Sequence, residues 1–306
     1  MESPFLLPKD FVASQEALAR RYRPQEAAAY TRWLATRHYE NFHVVSVVLP
    51  VRLHQDFYNV YAFCRWADDL GDEMESPAES LRLLAWWLEQ LEAMYGGEAA
   101  HPVFVALRET VERHRLPMEP FADLIRAFVQ DQTVTRYHSY EELFGYCRYS
   151  ANPVGRLVLH LFGYSDETRR RHSDATCTAL QLANFWQDVA VDRDKGRVYL
   201  PLEALERHGC PLEAIYGASA TPAFRAVMRE AVDRARRLFL EGLPLAGMVG
   251  RRLALDVELF SRGGLRVLEK IERQDYDVLA RRPVITRSER GWLVLRSLSR
   301  LFRRAP

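Results

Sequence analysis

Residues 64–73, CRWADDLGDE, place an arginine and a group of carboxylates on one stripe of a predicted helix. At about 100° per residue, Arg65, Asp68 and Asp72 fall within roughly 60° of one another, and Asp69 lies on the shoulder of the same face. Most charged stripes on helices are solvent-exposed faces with Arg–Asp ion pairs. For this motif considered alone, a solvent-exposed face of that kind is an open alternative.

The residues around this stripe are apolar and aromatic, which favours a buried helix: VYAF precedes it, and Trp66 and Ala67 lie within it. Buried carboxylates side by side lose hydration and repel one another unless a cation compensates. Oxygen ligands without His or Cys indicate a hard ion. Mg²⁺ fits best, because it takes a couple of carboxylates and completes its shell with water and phosphate.

A second stripe of the same kind occurs in residues 181–201, QLANFWQDVAVDRDKGRVYLP. Gln181, Asn184, Asp188 and Asp192 lie within about 80° of arc on a helix. If the two stripes face each other across a helical bundle, they would hold Mg²⁺ ions that bridge a diphosphate. Arg65, and Arg197 after the second stripe, would take phosphate oxygens.

The chemistry follows from such a ligand, because Mg²⁺ neutralises a diphosphate leaving group and an allylic or cyclopropylcarbinyl carbon can then depart as a carbocation. A cation of that kind needs a water-poor pocket with aromatic faces. Taken singly, aromatic residues are more typical of core packing. The candidates for cation contact are Phe42, Tyr58, Tyr61, Tyr146 and Tyr149.

The elements that must position these residues are helices, since apolar residues recur at three- and four-residue spacing and sustained alternation is scarce. Asn152-Pro153 is expected to kink one of them. No linker, low-complexity tract or fixed-period repeat appears, so one all-α domain spanning 1–306 is expected, a helical bundle with a central cavity. Helices are predicted over 13–36, 53–72, 77–95, 101–114, 119–132, 140–162, 166–193, 222–241, 246–277 and 287–302.

The composition is that of a globular protein and argues against a polyanionic partner. The 306 residues include 42 basic and 41 acidic ones, for a net charge of +1, so nucleic acid is not expected. Four scattered cysteines without a CxxC pair predict reduced thiols in a cytoplasmic protein. We find no secretory signal and no apolar run near the roughly 18 residues of a membrane span.

These motifs resemble the squalene/phytoene synthase family, the head-to-head isoprenoid synthases, over about residues 35–285. In that family a Tyr-Ala-hydrophobic-Cys-Arg segment precedes the first Asp-rich motif, as in YAFCRWADDLGDE, and a GRxYLP segment follows the second. The resemblance implies an all-α isoprenoid-synthase fold. It also implies Mg²⁺ bound through Asp68, Asp72, Asp188 and Asp192, with diphosphate or metal contacts from Arg65 and Asn184.

Two further segments extend the resemblance: RHYENF supplies His38 and Phe42, and YCRYSANPVG matches the family's catalytic-pocket tyrosine at Tyr146. With Tyr61 these residues form the predicted catalytic set. Tyr146 is a candidate both for general acid/base catalysis and for cation stabilisation. The predicted substrate contacts are Arg65, Gln181, Asn184 and Arg197, and the predicted metal ligands are Asp68, Asp69, Asp72, Asp188 and Asp192.

Departures from the commoner family pattern point to the hydroxysqualene synthase branch of bacterial hopanoid biosynthesis. Val191 stands where the second motif usually has an acid, and Gly263-Gly264 stand where some members have a tyrosine. That branch is thought to ionise presqualene diphosphate and let water capture the rearranged cation, giving hydroxysqualene and diphosphate. The small residues at 263 and 264 would leave room for that water.

Alternative functions remain open at this point. The chain could instead be a head-to-head prenyltransferase of the same family that makes presqualene diphosphate, squalene or phytoene from prenyl diphosphates. A more remote alternative is a non-catalytic helical subunit that supports a partner synthase. The Arg-rich tail, RRPVITRSERGWLVLRSLSRLFRRAP, can form an ordinary final helix or lie peripherally on the inner face of a membrane. Other enzymes of the pathway are candidate partners.

Overall fold

Helices account for the regular structure of the described residues, which are 5–37, 49–286, 288, 289, 291–294 and 296 of this computed structural model. Within these residues the only extended pairing is an isolated bridge between Arg136 and Val198, so the all-α prediction is confirmed. The α-helices are α1 (Pro8–Ala13), α2 (Gln15–Ala19), α3 (Pro24–Arg37), α4 (His54–Asp72), α5 (Pro77–Tyr95), α6 (Pro102–His114), α7 (Glu119–Asp131), α8 (Tyr140–Ser150), α9 (Asn152–Leu161), α10 (Glu167–Gln187), α11 (Val189–Asp194), α12 (Leu202–Arg207), α13 (Pro222–Gly242) and α14 (Arg251–Arg273).

Short 3₁₀ helices complete the described chain at Val51–Leu53, Leu212–Tyr216 and Leu243–Gly247. Residues 288, 289, 291–294 and 296 are also helical, within the predicted helix 287–302. Two predicted helix starts are confirmed by their caps: the Ser76 side chain accepts from the Glu79 N–H, and the Ser139 side chain accepts from the Glu142 N–H.

Some predicted helices are interrupted, and the interruptions have local causes. The predicted 140–162 segment divides at Ala151, because Pro153 has no N–H to continue the ladder. The predicted 166–193 segment divides at Asp188. The predicted 13–36 segment divides into α2 and α3 ahead of Pro24, and the predicted 246–277 segment becomes a 3₁₀ turn followed by α14.

The described chain forms two compact units, Met1–Thr133 with Leu157–Tyr164, and Val134–Arg156 with Ser165–Pro306. The first unit has a core of aromatic residues in which Trp66 and Trp87 stack with ring centroids 4.9 Å apart. Buried Asn59 donates to the Ala106 carbonyl and to Thr110 Oγ1, each at 3.0 Å. These bonds fix the rotation of α4 against α6, and therefore the direction of its acidic stripe.

The second unit is built on α10, which packs against α13 and α14. Trp186, Phe224 and Phe239 are fully buried within this unit. The segment after α11 lies beside the segment before α8, where the Val198 N–H donates to the Thr135 carbonyl at 2.9 Å and the Leu202 N–H donates to the Tyr137 carbonyl at 3.0 Å. A single domain with a central cavity stays a prediction.

Candidate active site

Arg65 is the centre of the first motif. On α4 its guanidinium donates to Asp68 at 3.1 Å and to Glu73 at 3.1 Å, and it also pairs with Asp69. One arginine therefore ties together carboxylates from two successive helical turns. The predicted clustering of Arg65 with Asp68 and Asp69 is found in the structure.

Asp69 differs from its neighbours because it faces inward. Only 3% of the residue is exposed, whereas the Asp68 side chain is 43% exposed and Asp72 lies at the surface. Burial raises the pKa of Asp69 to about 7, and Arg65 acts in the opposite direction. The buried Asp69 therefore holds the Arg65 guanidinium in place. That Asp69 also binds a metal ion stays a prediction.

Asp68 and Asp72 form the outward pair of the first motif, one helical turn apart. Burial raises the pKa of Asp68; Arg65 lowers it, and Asp72 and Glu73 raise it further. Arg65 is shared with Asp69 and Glu73, so it does not neutralise every carboxylate of this motif. A carboxylate pair in that condition attracts a further cation.

Tyr61 lies one turn before Arg65 on α4 and is partly buried. Burial raises the pKa of its hydroxyl, and the nearby Arg65 partly offsets that effect. Tyr61 is therefore a neutral phenol beside the first motif. The other two members of the predicted catalytic set in this part of the sequence, His38 and Phe42, lie outside the described residues.

The second motif is built around an interruption between two helices at Asp188. This residue ends α10 and precedes α11, with φ −107° and ψ 14°. The Asp188 N–H still donates to the Asn184 carbonyl at 2.9 Å, and the Asp192 N–H donates to the Asp188 carbonyl at 2.8 Å. The stripe therefore continues through the interruption, and Asp188 and Asp192 remain one turn apart.

Arg282, which the sequence pattern did not single out, pairs with Asp188 through two of its nitrogens. The adjacent Pro283 carbonyl accepts a 2.5 Å hydrogen bond from the Gln187 side chain, so the segment after α14 is fixed across the end of α10. No local motif surrounds Arg282, and the contact spans 94 residues of sequence. Only the tertiary structure reveals it.

Asp192, the second carboxyl of this motif, is partly buried. Burial and then Asp188 raise its pKa to about 6, while Lys195, Arg197 and Arg282 lower it. The chain turns back at Gly196, whose φ of +75° is accessible to glycine, and the Arg197 N–H donates to the Asp192 carbonyl at 2.9 Å. The structure therefore brings predicted Arg197 to predicted Asp192.

Gln181 and Asn184 precede the two aspartates on the same stripe of α10. Asn184 is exposed and Gln181 is partly buried. Neither side chain has a hydrogen-bond partner among the described residues of the second unit. Both amides are thus available to a ligand at this face.

Tyr146 lies in an aromatic cluster next to the second motif. Its ring centroid is 5.5 Å from that of Tyr137, 6.3 Å from that of Phe185 and 6.2 Å from that of Tyr199. Phe185 and Tyr199 stack at 3.7 Å with an interplanar angle of 8°. Tyr199 and Phe185 also line a small cavity with Asp192 and Arg197. Aromatic faces therefore adjoin the carboxylates of this motif.

The sequence motifs predict Tyr146 as a residue of the catalytic pocket, but they do not predict Tyr137 or Tyr199. Tyr199 belongs to the RVYLP segment, and that position was the available signal. Tyr137 is brought in by the backbone pairing of 135–138 with 198–203. Tyr149 is on α8 and partly buried, and Tyr58 is on α4 and partly buried.

Gly263 and Gly264 have different surroundings. A Cβ added at Gly264 would lie 2.1–2.9 Å from ring atoms of Phe239, so α14 approaches α13 closely there. A Cβ at Gly263 meets no described heavy atom within 4 Å. Space for a water is therefore available only at Gly263, and the prediction of room at Gly264 is wrong because Phe239 fills it.

The chemistry of these donors fits a hard divalent cation. Within neither unit do three or more His, Cys, Asp or Glu side chains of the described residues converge in a way that could hold a metal alone. Each motif instead offers a pair of carboxylates one turn apart, and burial, followed by the neighbouring carboxylate, raises the pKa of Asp68 and of Asp192. Mg²⁺ commonly binds through one or two carboxylates together with water and substrate phosphates.

Comparison with solved structures establishes the class. The squalene synthase HpnC from Alicyclobacillus acidocaldarius is similar with a TM-score of 0.80 and 46% identity, covering 83% of this chain and 95% of that one. A dehydrosqualene synthase has a TM-score of 0.82 at 24% identity, covering 92% and 98%, and shows the fold alone. The protein has the all-α fold of the isoprenoid synthases.

Sequence comparison gives the family. The squalene/phytoene synthase model matches residues 35–289. Phytoene synthase from Thermus thermophilus is 32% identical, covering 84% of this chain and 87% of the relative, and hydroxysqualene synthase from Rhodopseudomonas palustris is 34% identical, covering 77% and 80%. The chain belongs to the squalene/phytoene synthase family and is an enzyme of isoprenoid biosynthesis. This family acts on prenyl diphosphates and uses a divalent metal to ionise them.

None of the described helices is both long enough and apolar enough to cross a membrane. The four cysteines, Cys64, Cys147, Cys177 and Cys210, are free thiols. Burial raises the pKa of Cys64 and Cys147 to about 12. These thiols are inert at neutral pH, and their role is packing.

Proposed function

We propose that this enzyme is a hydroxysqualene synthase, which ionises presqualene diphosphate with Mg²⁺ and adds water to the resulting cation. The observation that carries the ionisation chemistry is the second motif, where Asp188 and Asp192 adjoin Arg197, Arg282 and an aromatic cluster. Such a site combines carboxylates and arginines that can bind a metal diphosphate with aromatic faces that can stabilise a carbocation.

The carboxylates and arginines would divide the binding of the leaving group. Asp68 and Asp72 in the first motif, and Asp188 and Asp192 in the second, would hold Mg²⁺, which when bound neutralises the diphosphate as the C–O bond breaks. Arg65, oriented by Asp69, would donate to phosphate oxygens. That both motifs bind one ligand stays a prediction.

Arg282 would act as a counterion that changes partner. The Arg282 guanidinium pairs with Asp188. The pKa of Asp192 is raised by burial and then by the neighbouring carboxylate of Asp188. A divalent cation on Asp188 would compete with Arg282 for the same oxygens. The released guanidinium would then be close enough to donate to the diphosphate, together with Arg197, Asn184 and Gln181.

The aromatic cluster would stabilise the cation after the leaving group departs with its electron pair. Tyr146 is 5% exposed and Tyr137 is 2% exposed, so bulk water is kept from these rings. Phe185 and Tyr199 extend the same apolar surface. One water oxygen then bonds to the carbon and loses a proton, giving an alcohol. Tyr61, His38 and Phe42 remain proposed members of the catalytic set.

The choice of the hydroxysqualene branch rests on sequence features. Val191 is 42% exposed on α11, between Asp188 and Asp192, where an acid is more common in the family. A named hydroxysqualene synthase is 34% identical to the chain. The open space at Gly263 suits a small ligand such as water. Free cysteines favour a reducing cytoplasmic compartment for the pathway.

A second candidate is a head-to-head prenyltransferase that makes presqualene diphosphate, squalene or phytoene. The 32% identity to a phytoene synthase supports it, as does the 46% identity to HpnC, a squalene synthase. Squalene formation from presqualene diphosphate needs a hydride, which NADPH supplies in that reaction. Water capture needs none.

Product analysis distinguishes these functions. The purified enzyme is incubated with presqualene diphosphate and Mg²⁺ without NADPH, and the extract is examined for a C30 alcohol. Parallel incubations supply farnesyl or geranylgeranyl diphosphate, and another adds NADPH. Hydroxysqualene without NADPH is the expected product. Squalene that appears only with NADPH, or phytoene from geranylgeranyl diphosphate, would establish the second candidate, and no turnover of any substrate would favour a non-catalytic subunit.

A further inference from the structure

Two adjoining grooves run along the C-terminal half of α14 in the second unit. One, of about 610 Å³, lies between α14 and the helical residues 288–296. The other, of about 480 Å³, lies between α14 and the segment 281–286. Arg266, Arg273 and Glu289 line both grooves, so the two form one continuous surface, which we call the basic groove.

Basic side chains predominate in the basic groove. Among its described lining residues the acids are Glu269 and Glu289. The cations are Arg262, Arg266, Lys270, Arg273, Arg281, Arg282 and Arg296. This local excess contrasts with the net charge of +1 for the whole chain, so basic residues are concentrated at this face.

Internal pairing accounts for only part of this positive charge. Arg266 pairs with Glu269 and Glu289, and Lys270 pairs with Glu289. Arg262 pairs with Glu258, and Arg282 pairs with Asp188. Arg273 and Arg281 are exposed and form no ion pair with any described residue. Structural stability therefore does not explain these two arginines, and they are available to an external anion.

Apolar side chains lie in the same surface. Trp292 lines the first part of the basic groove and is 53% exposed, with the Arg296 guanidinium 4.8 Å from its ring centroid. Val284 lines the second part and is 50% exposed. An exposed tryptophan beside arginines is typical of a surface that enters the headgroup region of an anionic bilayer.

We propose that the basic groove is the docking surface for an anionic phospholipid bilayer. Arg273 and Arg281 contact lipid phosphates, and Trp292 and Val284 enter the interface beside them. A bilayer supplies both features in one ligand, because lipid phosphates match the arginines and the acyl boundary matches Trp292 and Val284. Arg282 lines this groove and also pairs with Asp188, but the four residues that carry the inference, Arg273, Arg281, Val284 and Trp292, lie outside the two acidic motifs. The inference therefore does not depend on which product the enzyme makes.

Vesicle sedimentation tests this surface in the full-length enzyme. Vesicles of phosphatidylcholine alone are compared with vesicles of phosphatidylcholine mixed with phosphatidylglycerol, at low and high NaCl. The test variant is Arg273→Glu/Arg281→Glu. Its matched control is Arg251→Glu/Arg252→Glu, which makes the same change in net charge at two exposed residues on the other end of α14. Trp292→Ser tests the apolar contact, and circular dichroism verifies the fold of each variant.

We expect binding to the anionic vesicles only, weakened by salt. The test variant should bind at least about 30-fold more weakly, because roughly 1 kcal/mol is lost for each of the two basic residues removed from an anionic membrane surface. Trp292→Ser should also weaken binding, and the control should bind like the unmodified enzyme. Equal binding to both kinds of vesicle, or equal losses in the test and control variants, overturns the proposal. Displacement by inorganic diphosphate at matched ionic strength would instead identify a soluble-phosphate site and also overturn it.

Discussion

At the residue scale, Arg282 connects the geometry of the second motif to its chemistry. It neutralises Asp188 from a segment far along the chain, while Asp192 keeps a pKa near 6. Any cation that binds Asp188 competes with this guanidinium. In the proposed mechanism, Arg282 would therefore oppose metal binding before substrate arrives and would favour diphosphate binding afterwards.

Arg282→Gln should therefore change two affinities in opposite directions. Mg²⁺ alone should bind more tightly, because Asp188 has lost its competing cation. The KM for the prenyl diphosphate should rise about 10- to 100-fold, the equivalent of one charge-assisted hydrogen bond. Calorimetry measures the first, and diphosphate release measures the second. Arg251→Gln, at an exposed arginine on the N-terminal end of α14, should leave both unchanged. If both affinities fell together in the Arg282 variant, the residue would only hold its segment in place.

Another residue with a defined electrostatic environment is His101, which is buried among Trp66, Trp87 and Phe104. Its Nδ1 accepts from the Val103 N–H at 3.3 Å, which caps α6. Burial lowers its pKa well below the ordinary 6.5. The folded state therefore holds this imidazole neutral, with the proton on Nε2 facing aromatic rings.

Acid should destabilise the fold through His101. Below pH 6.5 the unfolded chain binds a proton that the folded chain excludes, so the free energy of unfolding falls by up to about 1.4 kcal/mol per pH unit. His101→Asn keeps a capping acceptor but does not titrate. Urea unfolding between pH 7 and pH 5 should show a flatter pH dependence for this variant, with some loss of stability at every pH. The exposed His138→Asn is the control. An unchanged slope in His101→Asn would show that the buried imidazole does not contribute.

At the element scale, the periodicity of apolar residues predicted most of the helices correctly. The acidic stripes were predictable for the same reason, since residues one turn apart share a helix face wherever the helix packs. The interruption at Asp188 was not predictable, because no proline or glycine marks it. Asp69 illustrates a second limit: spacing placed it on the shoulder of the stripe, but the depth of burial depends on what packs against α4.

Contacts between distant segments were beyond the sequence pattern altogether. Tyr137 joins Tyr199 because two irregular segments pair their backbones, and Arg282 reaches Asp188 from after α14. Neither segment has a periodicity that indicates its partner. The residues within each motif were therefore predictable from sequence. The residues that reach the second motif from distant segments, Tyr137 and Arg282, were not.

The crossing of α14 with α13 gives a prediction at this scale. Phe239 occupies the space beside Gly264, whereas the space beside Gly263 is open. Gly264→Ala should lower the free energy of unfolding by about 1–3 kcal/mol, the usual cost of overpacking. Gly263→Ala should be neutral or slightly stabilising, since alanine is the better helix former. Urea unfolding of the two variants measures the difference. Equal effects would show that α14 can shift to accommodate the methyl group.

The same pair tests where the water lies. If the open space at Gly263 admits the attacking water, Gly263→Ala should lower the yield of alcohol relative to hydrocarbon or rearranged products. Because stability is expected to be unaffected at this position, a change in product composition would be a local effect. Unchanged alcohol yield would remove Gly263 from the proposed mechanism.

For the whole molecule, each motif places two carboxylates one helical turn apart. Burial raises the pKa of Asp68, and Asp72 and Glu73 raise it further, while burial and then Asp188 raise the pKa of Asp192. A ligand that carries a divalent cation to these carboxylates should therefore stabilise the folded state against unfolding. Mg²⁺ together with inorganic diphosphate is the simplest such ligand, because the metal meets the carboxylates and the anion meets the arginines.

The combination should raise the melting temperature more than either component alone. At a ligand concentration about 100 times Kd the gain is about 2.7 kcal/mol, which corresponds to about 5 °C for a chain of this size. If both motifs bind the same ligand, Asp68→Asn and Asp192→Asn should each abolish the cooperative shift. The matched controls are Glu75→Gln and Asp194→Asn, exposed acids next to each motif, and both should retain it. A shift that survives either aspartate substitution would mean that the two motifs bind separately, which contradicts a shared magnesium diphosphate site and the ionisation mechanism built on it.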